Sequence, residues 1–174
     1  VADTLGWIAH QLGEQRWALT LIEEAAAQLP DSWEVQYHLG VALYDIGHQD
    51  AAATALRQAL ALGVPEDFQS QIQGRLDVIE STGTAGADAV QARLATDPTD
   101  AVAAYKQAEG LHNSGNTEDA LELARVASAA NSGNVPLRIA LAKLEAGAGN
   151  MNSALSTAEA AYELEPENLA VIKI

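Results

Sequence analysis

The sequence lacks cysteine and has few aromatic residues and few cations. Without cysteine there is no disulfide framework, no zinc ribbon and no thiol nucleophile. Lys and Arg number 9 against 24 Asp and Glu, which gives a net charge of −15. Nucleic acids and anionic membranes are bound by clustered Lys and Arg, so the composition argues against both and favours a basic or neutral partner. No apolar run approaches the roughly 18 residues of a bilayer span, so we expect no direct membrane insertion.

The length of 174 residues predicts one domain or two small ones, with enough chain to bury a core. The repeat described below runs through the whole sequence and favours a single domain, residues 1–174. The chain begins with Val1 and ends inside an apolar stretch. We therefore expect it to be a piece of a longer protein.

Small residues recur in this chain with a spacing of 34. The markers Pro30, Pro98 and Pro166 are each separated by two such periods. Columns of Gly and Ala keep the same spacing, and close helix crossings need such small side chains. The predicted packing residues are Gly6, Ala18, Ala25, Gly40, Ala52, Ala59, Ala120, Ala127, Ala154 and Ala161.

A glycine is predicted to end the first helix of most repeats in a left-handed conformation. These glycines are Gly13, Gly47, Gly115 and Gly149. The polar residues that follow them are expected to cap the second helix, and the proline markers to stop it. Each repeat therefore reads as helix, tight turn, helix and short loop.

Ten helices follow from this pattern. The predicted ranges are 3–12, 15–28, 33–46, 49–62, 67–80, 84–96, 101–114, 117–130, 135–147 and 151–164. The third repeat departs most, because Gln73-Gly74 replaces Leu-Gly, Gly86 replaces the central Ala and Arg93 replaces the next Ala. We still expect two helices there.

The sequences TLG at 4–6 and HLG at 38–40, with the alanine and proline columns, resemble the tetratricopeptide repeat. The resemblance covers essentially the whole chain, with units 1–32, 33–66, 67–100, 101–134 and 135–168 and the start of a sixth at 169–174. It implies an all-α fold, a right-handed α-solenoid of about five helix-turn-helix units. In that family the first helices line a concave groove, which implies that the partner is another protein or a peptide.

Residues 3–43 also resemble repeats of bacterial envelope proteins, including those associated with exosortase systems. This resemblance favours a bacterial protein of the periplasm or cell envelope over a cytoplasmic one.

The family pattern places a set of polar and aromatic residues of the first helices in the groove. The predicted groove residues are Trp7, His10, Tyr37, His38, Val41, Tyr44, Phe68, Arg75, Tyr105, Glu109, His112 and Lys143. Aromatic side chains offer a large contact area at a low entropic cost, although at helical spacing they also pack between helices. The family's clamp for a C-terminal carboxylate uses Lys, Asn and Arg, and the matching positions here lack all three. Binding of chaperone C-termini is therefore not expected.

No constellation in the sequence predicts catalysis, a cofactor or a metal. His10 and His38 would need a third ligand to bind a metal ion. The glycine-rich segment 83–88 has no preceding strand and no following Lys-Ser/Thr, so we interpret it as a turn rather than a phosphate loop. Glu23 and Glu24 are adjacent and cannot converge on one substrate.

Two functions remain open from the sequence. The first is a protein-interaction scaffold that binds a partner segment in the groove. The second is a structural spacer or oligomerisation segment of a longer repeat protein, without a peptide ligand of its own. Leu169, Val171 and Ile172 would face the next unit under the second hypothesis, and exposed repeat ends could form a dimer.

Overall fold

The computed structural model describes residues 1–168, and of residues 83–85 the backbone alone. Over this range the chain forms ten α-helices and no strand. It divides into two compact units, of which the first is Val1–Ser81 and the second begins at Thr82. The predicted start of a sixth repeat at 169–174 lies outside the described residues.

Each compact unit holds five of the ten helices. The first unit holds α1 (Ala2–Gln11), α2 (Gln15–Gln28), α3 (Trp33–Asp45), α4 (Gln49–Leu62) and α5 (Glu66–Glu80). The second unit holds α6 (Gly83–Thr96), α7 (Ala101–Asn113), α8 (Thr117–Ala130), α9 (Val135–Gly147) and α10 (Met151–Leu164). Each bound lies within one residue of the prediction, which confirms the all-α helix-pair fold. The interpretation of 83–88 as a turn is wrong, because this segment forms the first turns of α6.

In the first unit, α1 packs on α2, α3 on α4, and α2 also packs on α3. The centre of this unit is apolar, with Val41, Leu56 and Ile72 in one buried cluster. Gly40 allows the α3–α4 approach, since a Cβ there would lie 2.6 Å from Leu56 Cγ. Gly6 has the same role between α1 and α2, where a Cβ would lie 2.7 Å from Ile22 Cγ1.

In the second unit, α7 packs on α8, α8 on α9 and α9 on α10. Ala120 and Leu121 of α8 join Leu141 and Leu144 of α9 in one buried cluster. The other predicted packing alanines of both units are buried as well: Ala18, Ala25, Ala52, Ala59, Ala127, Ala154 and Ala161. The small columns therefore lie where helices meet.

The turns inside the repeats contain left-handed glycines, as the sequence predicts. Gly13, Gly47, Gly115 and Gly149 have φ values of 82°, 87°, 88° and 82°. The predicted side-chain caps after them are wrong, because the residues before α2, α4, α8 and α10 make no side-chain cap hydrogen bond.

Side-chain caps occur instead at three first helices. Ser32 accepts a hydrogen bond from Val35 N, Asp100 from Ala103 N and Asn134 from Leu137 N. These caps follow the loops between repeats, where the residue before the helix is in an extended or near-extended conformation that suits an N-cap.

Candidate partner-binding site

A cleft in the second unit runs between α7 and α9. It has a volume of about 420 Å³. We call it the α7–α9 cleft. It is lined by Tyr105, Glu109, His112, Pro136, Ile139, Ala140, Lys143, Leu144 and Asn168. Volumes of this size are typical of clefts that take a small ligand or a few side chains.

The helical period explains how these side chains converge. Tyr105, Glu109 and His112 follow the four-then-three spacing of α7, so they share one face of that helix. Pro136, Ala140 and Leu144 are spaced by four on α9 and share a face in the same way. Two pairs of lining residues occupy equivalent positions in successive repeats. Ile139 lies one repeat period after Tyr105, and Lys143 lies one period after Glu109.

The cleft combines an apolar wall with charged groups at its edge. Ile139 and Leu144 are buried, whereas Glu109, His112 and Lys143 are exposed. Burial raises the pKa of the Tyr105 phenol, and the nearby Glu109 carboxylate raises it further. Tyr105 is therefore a neutral hydrogen-bonding group at neutral pH. His112 Nδ1 lies 3.3 Å from Thr117 Oγ1.

A second group of side chains forms an aromatic cluster in the first unit. Trp7 stacks between two imidazoles, with ring centroids 5.0 Å from His10 and 4.2 Å from His38. The cluster continues through Tyr37 to Phe68, whose rings meet edge to face at 5.1 Å. We define the aromatic cluster as Trp7, His10, Trp33, Tyr37, His38 and Phe68.

Carboxylates hold both imidazoles of the aromatic cluster. His38 Nδ1 lies 2.8 Å from Asp3 Oδ1, and His10 Nε2 lies 3.1 Å from Asp45 Oδ2. The other His10 nitrogen lies 2.8 Å from Gln15 Oε1. Each imidazole is thus engaged by its own partners, and within residues 1–168 no group of three possible ligands is placed to hold a metal ion.

The predicted groove residues of the first unit differ in exposure. Trp7, His38, Phe68 and Arg75 are half-buried. Four others are buried: His10, Tyr37, Val41 and Tyr44. Tyr44 is 0% exposed, and the centroid of its ring lies 5.6 Å from Arg75 Cζ.

Burial changes what several of these side chains can do. Val41 and Tyr44 have no surface to offer a partner, so the structure places them in the core rather than on a groove. Aromatic residues at helical spacing commonly pack between helices, and the sequence pattern alone does not separate the two environments.

The structure brings four predicted groove residues together in the α7–α9 cleft: Tyr105, Glu109, His112 and Lys143. Sequence reasoning missed Pro136, Ala140, Leu144 and Asn168 as lining residues. The spacing of four between Pro136, Ala140 and Leu144 is the signal that marks them as one face of α9. Sequence reasoning also missed Trp33 as a member of the aromatic cluster, although Trp33 is the first residue of α3, directly after the Ser32 cap.

Four packed helix pairs, α1–α2, α3–α4, α7–α8 and α9–α10, each with a left-handed glycine in its turn, make the fold an all-α repeat of helix-turn-helix pairs. No protein-family model and no curated protein matches the sequence. None of the described helices is both long and apolar enough to cross a membrane.

Three solved structures illustrate what the arrangement of helices is similar to. A crystal structure of MamA matches with a TM-score of 0.43 and 20% identity, over 95% of this chain and 91% of that chain. YrrB, described as a TPR protein with an unusual peptide-binding site, matches with a TM-score of 0.48 and 16% identity, over 99% of this chain and 89% of that chain. TTC0263, a thermophilic TPR protein of Thermus thermophilus, matches with a TM-score of 0.45 and 20% identity, over 99% of this chain and 94% of that chain. At such scores and identities, these likenesses carry no argument about function, and the association with the bacterial envelope stays a prediction.

Proposed function

We propose that this chain is a non-enzymatic protein-interaction scaffold whose α7–α9 cleft binds a short segment of a partner protein. The carrying observation is that α7 and α9 direct equivalent repeat positions into one open cleft of about 420 Å³. The α7–α9 cleft suits a peptide better than a compact molecule. Its lining residues lie along two neighbouring helices, and the cleft is open to solvent beside its charged residues.

The cleft offers three kinds of contact to such a segment. The wall of Ile139 and Leu144 takes an apolar side chain and removes it from water. The neutral Tyr105 hydroxyl can donate to a main-chain carbonyl of the partner. Lys143 and Glu109 can pair with charges on either side of the apolar anchor, which fixes the orientation of the segment more than its affinity.

The charge of the whole chain narrows the class of partner. With a net charge of −15, the protein repels acidic segments at long range and attracts basic ones. We therefore expect a neutral or basic segment with one apolar anchor. The attraction should weaken as salt is raised, because exposed charges are screened.

The proposal is tested by selecting binding peptides from a displayed random library against the whole chain. The selected peptides are then measured by fluorescence anisotropy against Lys143→Ala and against Ala140→Phe, which fills the cleft. We expect binding to weaken at least about tenfold in Ala140→Phe, since a loss of roughly 1.4 kcal/mol is enough for that change. Val126→Ala is the matched control, because this α8 side chain is exposed and does not line the cleft.

Two outcomes would reject the cleft as the binding site. One is a selection that enriches no peptide. The other is a set of peptides that binds the wild type, Ala140→Phe and Val126→Ala with equal affinity. Circular dichroism of each variant confirms that its helices are intact.

A further inference from the structure

The two compact units contain equivalent pairs of first helices with different contents. In sequence, α7 and α9 lie three repeat periods after α1 and α3, and the two helices of each pair are in contact. Between α1 and α3 lies the indole of Trp7, which packs on His38. Between α7 and α9 lies the open α7–α9 cleft. The first unit therefore shows which side chain fits between two such helices.

Two differences in sequence explain why the α7–α9 cleft is open. Glu109 stands at the position of Trp7, and Ala140 stands at the position of His38. In the first unit these two positions carry stacked rings with centroids 4.2 Å apart. In the second unit they carry an exposed carboxylate side chain and a single methyl group. The α7–α9 cleft is thus the place of two aromatic rings that the second unit lacks.

The second unit keeps the imidazole on which Trp7 stacks in the first. His112 stands at the position of His10, whose ring lies 5.0 Å from that of Trp7 at an angle of 19°. Both imidazoles are held at Nδ1 by the first residue of the following helix. His10 lies 2.8 Å from Gln15 Oε1, and His112 lies 3.3 Å from the equivalent Thr117 Oγ1. The second unit therefore presents an oriented flat ring without a stacking partner from its own Trp7 position.

Two further lining residues suit an aromatic ring. Lys143 lies two repeat periods after Arg75, whose Cζ lies 5.6 Å from the centroid of the Tyr44 ring. A cation at this distance is attracted to the face of a ring, and most strongly to that of tryptophan. Ile139 stands at the position of Tyr37, which borders Trp7 in the first unit, and offers an apolar wall in its place.

We propose that the partner segment is anchored in the α7–α9 cleft by a tryptophan side chain, which takes the place that Trp7 takes in the first unit. Its indole lies against His112 and Ile139, with the Lys143 ammonium over its face. The proposal rests on the binding of a peptide in this cleft and specifies the apolar anchor of that peptide. Residues 169–174 contain no aromatic side chain and do not supply the anchor.

Titration of the isotope-labelled whole chain with N-acetyl-tryptophanamide and with N-acetyl-leucinamide tests the anchor by nuclear magnetic resonance. We expect the tryptophan probe to shift the amide signals of Tyr105, Ala140 and Lys143. It should bind at least about fivefold more tightly than the leucine probe, because ring stacking and the cation add to the burial of apolar surface.

Three variants locate the binding of the tryptophan probe. Glu109→Trp with Ala140→His restores the two rings of the first unit, so the cleft is filled from within and the probe should no longer bind. Val126→Trp is the matched control, because it adds a tryptophan at an exposed position of α8 outside the cleft. His112→Ala changes an exposed side chain and should weaken the tryptophan probe more than the leucine probe. Circular dichroism confirms that the helices of each variant are intact.

Equal affinity for the two probes overturns the tryptophan anchor, and so does binding of the tryptophan probe that persists in the double variant. The peptides selected against the whole chain separate this failure from that of the proposed function. If they lose affinity in Ala140→Phe but carry an aliphatic anchor, the cleft binds a peptide and the tryptophan anchor is wrong. If they share a tryptophan whose replacement by leucine weakens binding, the anchor is supported. If none of them depends on the cleft, the proposed function fails and the anchor fails with it.

Discussion

Gly40 and Gly74 occupy the same position in successive repeats, yet a methyl group would meet different surroundings at each. At Gly40 it would lie 2.6 Å from Leu56 Cγ, and Leu56 is fully buried. At Gly74 it would meet nothing within 4 Å. The glycine column is therefore a packing requirement in α3 and not in α5.

Because of this difference, we expect the two Gly→Ala substitutions to change the free energy of unfolding in opposite directions. Gly40→Ala should lower the free energy of unfolding by about 1–3 kcal/mol, because the buried Leu56 side chain must shift. Gly74→Ala should raise it by about 0.5–1 kcal/mol, because Ala loses less conformational entropy in a helix. Urea unfolding followed by circular dichroism measures both, and a stabilised Gly40→Ala variant would contradict the packing described for α3 and α4.

Tyr105 should ionise at a higher pH than a free tyrosine in an alkaline titration. Its pKa is raised by burial first and by the Glu109 carboxylate second. In an absorbance titration, Tyr105→Phe should remove a component that ionises above about pH 10, the ordinary tyrosine value. Glu109→Gln should move that component to lower pH while leaving most of the shift, since burial is the larger cause.

The raised pKa of Tyr105 also sets the direction of a stability change. The phenol binds its proton more tightly in the folded chain than in the unfolded one, so its contribution is complete below the ordinary tyrosine pKa. The contribution is lost as pH rises through the folded pKa. The stability of the wild type should therefore fall more steeply above about pH 10 than that of Tyr105→Phe, and equal slopes would contradict the assignment.

At the scale of the helix, Arg93 shows that a departure from the repeat pattern has a structural cause. It replaces the small residue of its column, and its Nε donates to Asp100 Oδ2 while its Nη2 donates to Asp97 Oδ2. The Asp100 carboxylate is almost fully buried and also accepts from Ala103 N, so it caps α7. Arg93 thus connects the end of α6 to the start of α7.

Arg93→Ala, which restores the small residue of the column, should therefore destabilise the chain. We expect a loss of about 2–4 kcal/mol, because the buried Asp100 carboxylate loses a charged partner. Adding Asp100→Asn should recover part of this loss, since Asn removes the charge and still caps a helix. Thermal and urea unfolding measure both variants, and a stabilised Arg93→Ala variant would show that the repeat column outweighs the ion pair.

The helices could be predicted from the sequence because their signals are local. Glycine and alanine recur in most repeats and proline in every second one, and each helix lies within one residue of the range that this register predicts. The buried network of Arg93 and Asp100 could not be predicted in the same way, because it depends on how the chain turns between α6 and α7.

The candidate site was predictable only in part. The register predicts that Tyr105, Glu109, His112 and Lys143 share the surface of the first helices, and the structure gathers them in one cleft. The same register does not predict the core position of Tyr44, because a tyrosine suits both a groove and a core. Which one applies depends on neighbours such as Arg75, which lies in the next repeat and is distant in sequence.

At the scale of the whole molecule, each compact unit has its own buried clusters. Leu56 and Ile72 belong to a cluster of the first unit, and Ala120 and Leu144 to one of the second. In repeat proteins stability is close to a sum over local units and their neighbours, so substitutions in different units need not affect the same unfolding step. The sequence instead predicts a single domain, and a single domain would unfold in one transition that substitutions in either unit would shift.

Scanning calorimetry of substitutions in each unit distinguishes these two cases. Gly40→Ala acts in the first unit and Ala120→Leu in the second, where overpacking of a fully buried position costs about 1–3 kcal/mol. We expect each variant to lower a different component of the heat absorption, and the double variant to show both changes added together. Ala129→Leu is the control, because Ala129 is exposed on α8 and the substitution should leave both components in place. If Gly40→Ala and Ala120→Leu instead lower one shared transition, the chain unfolds as a single cooperative domain and the two compact units have no separate stability.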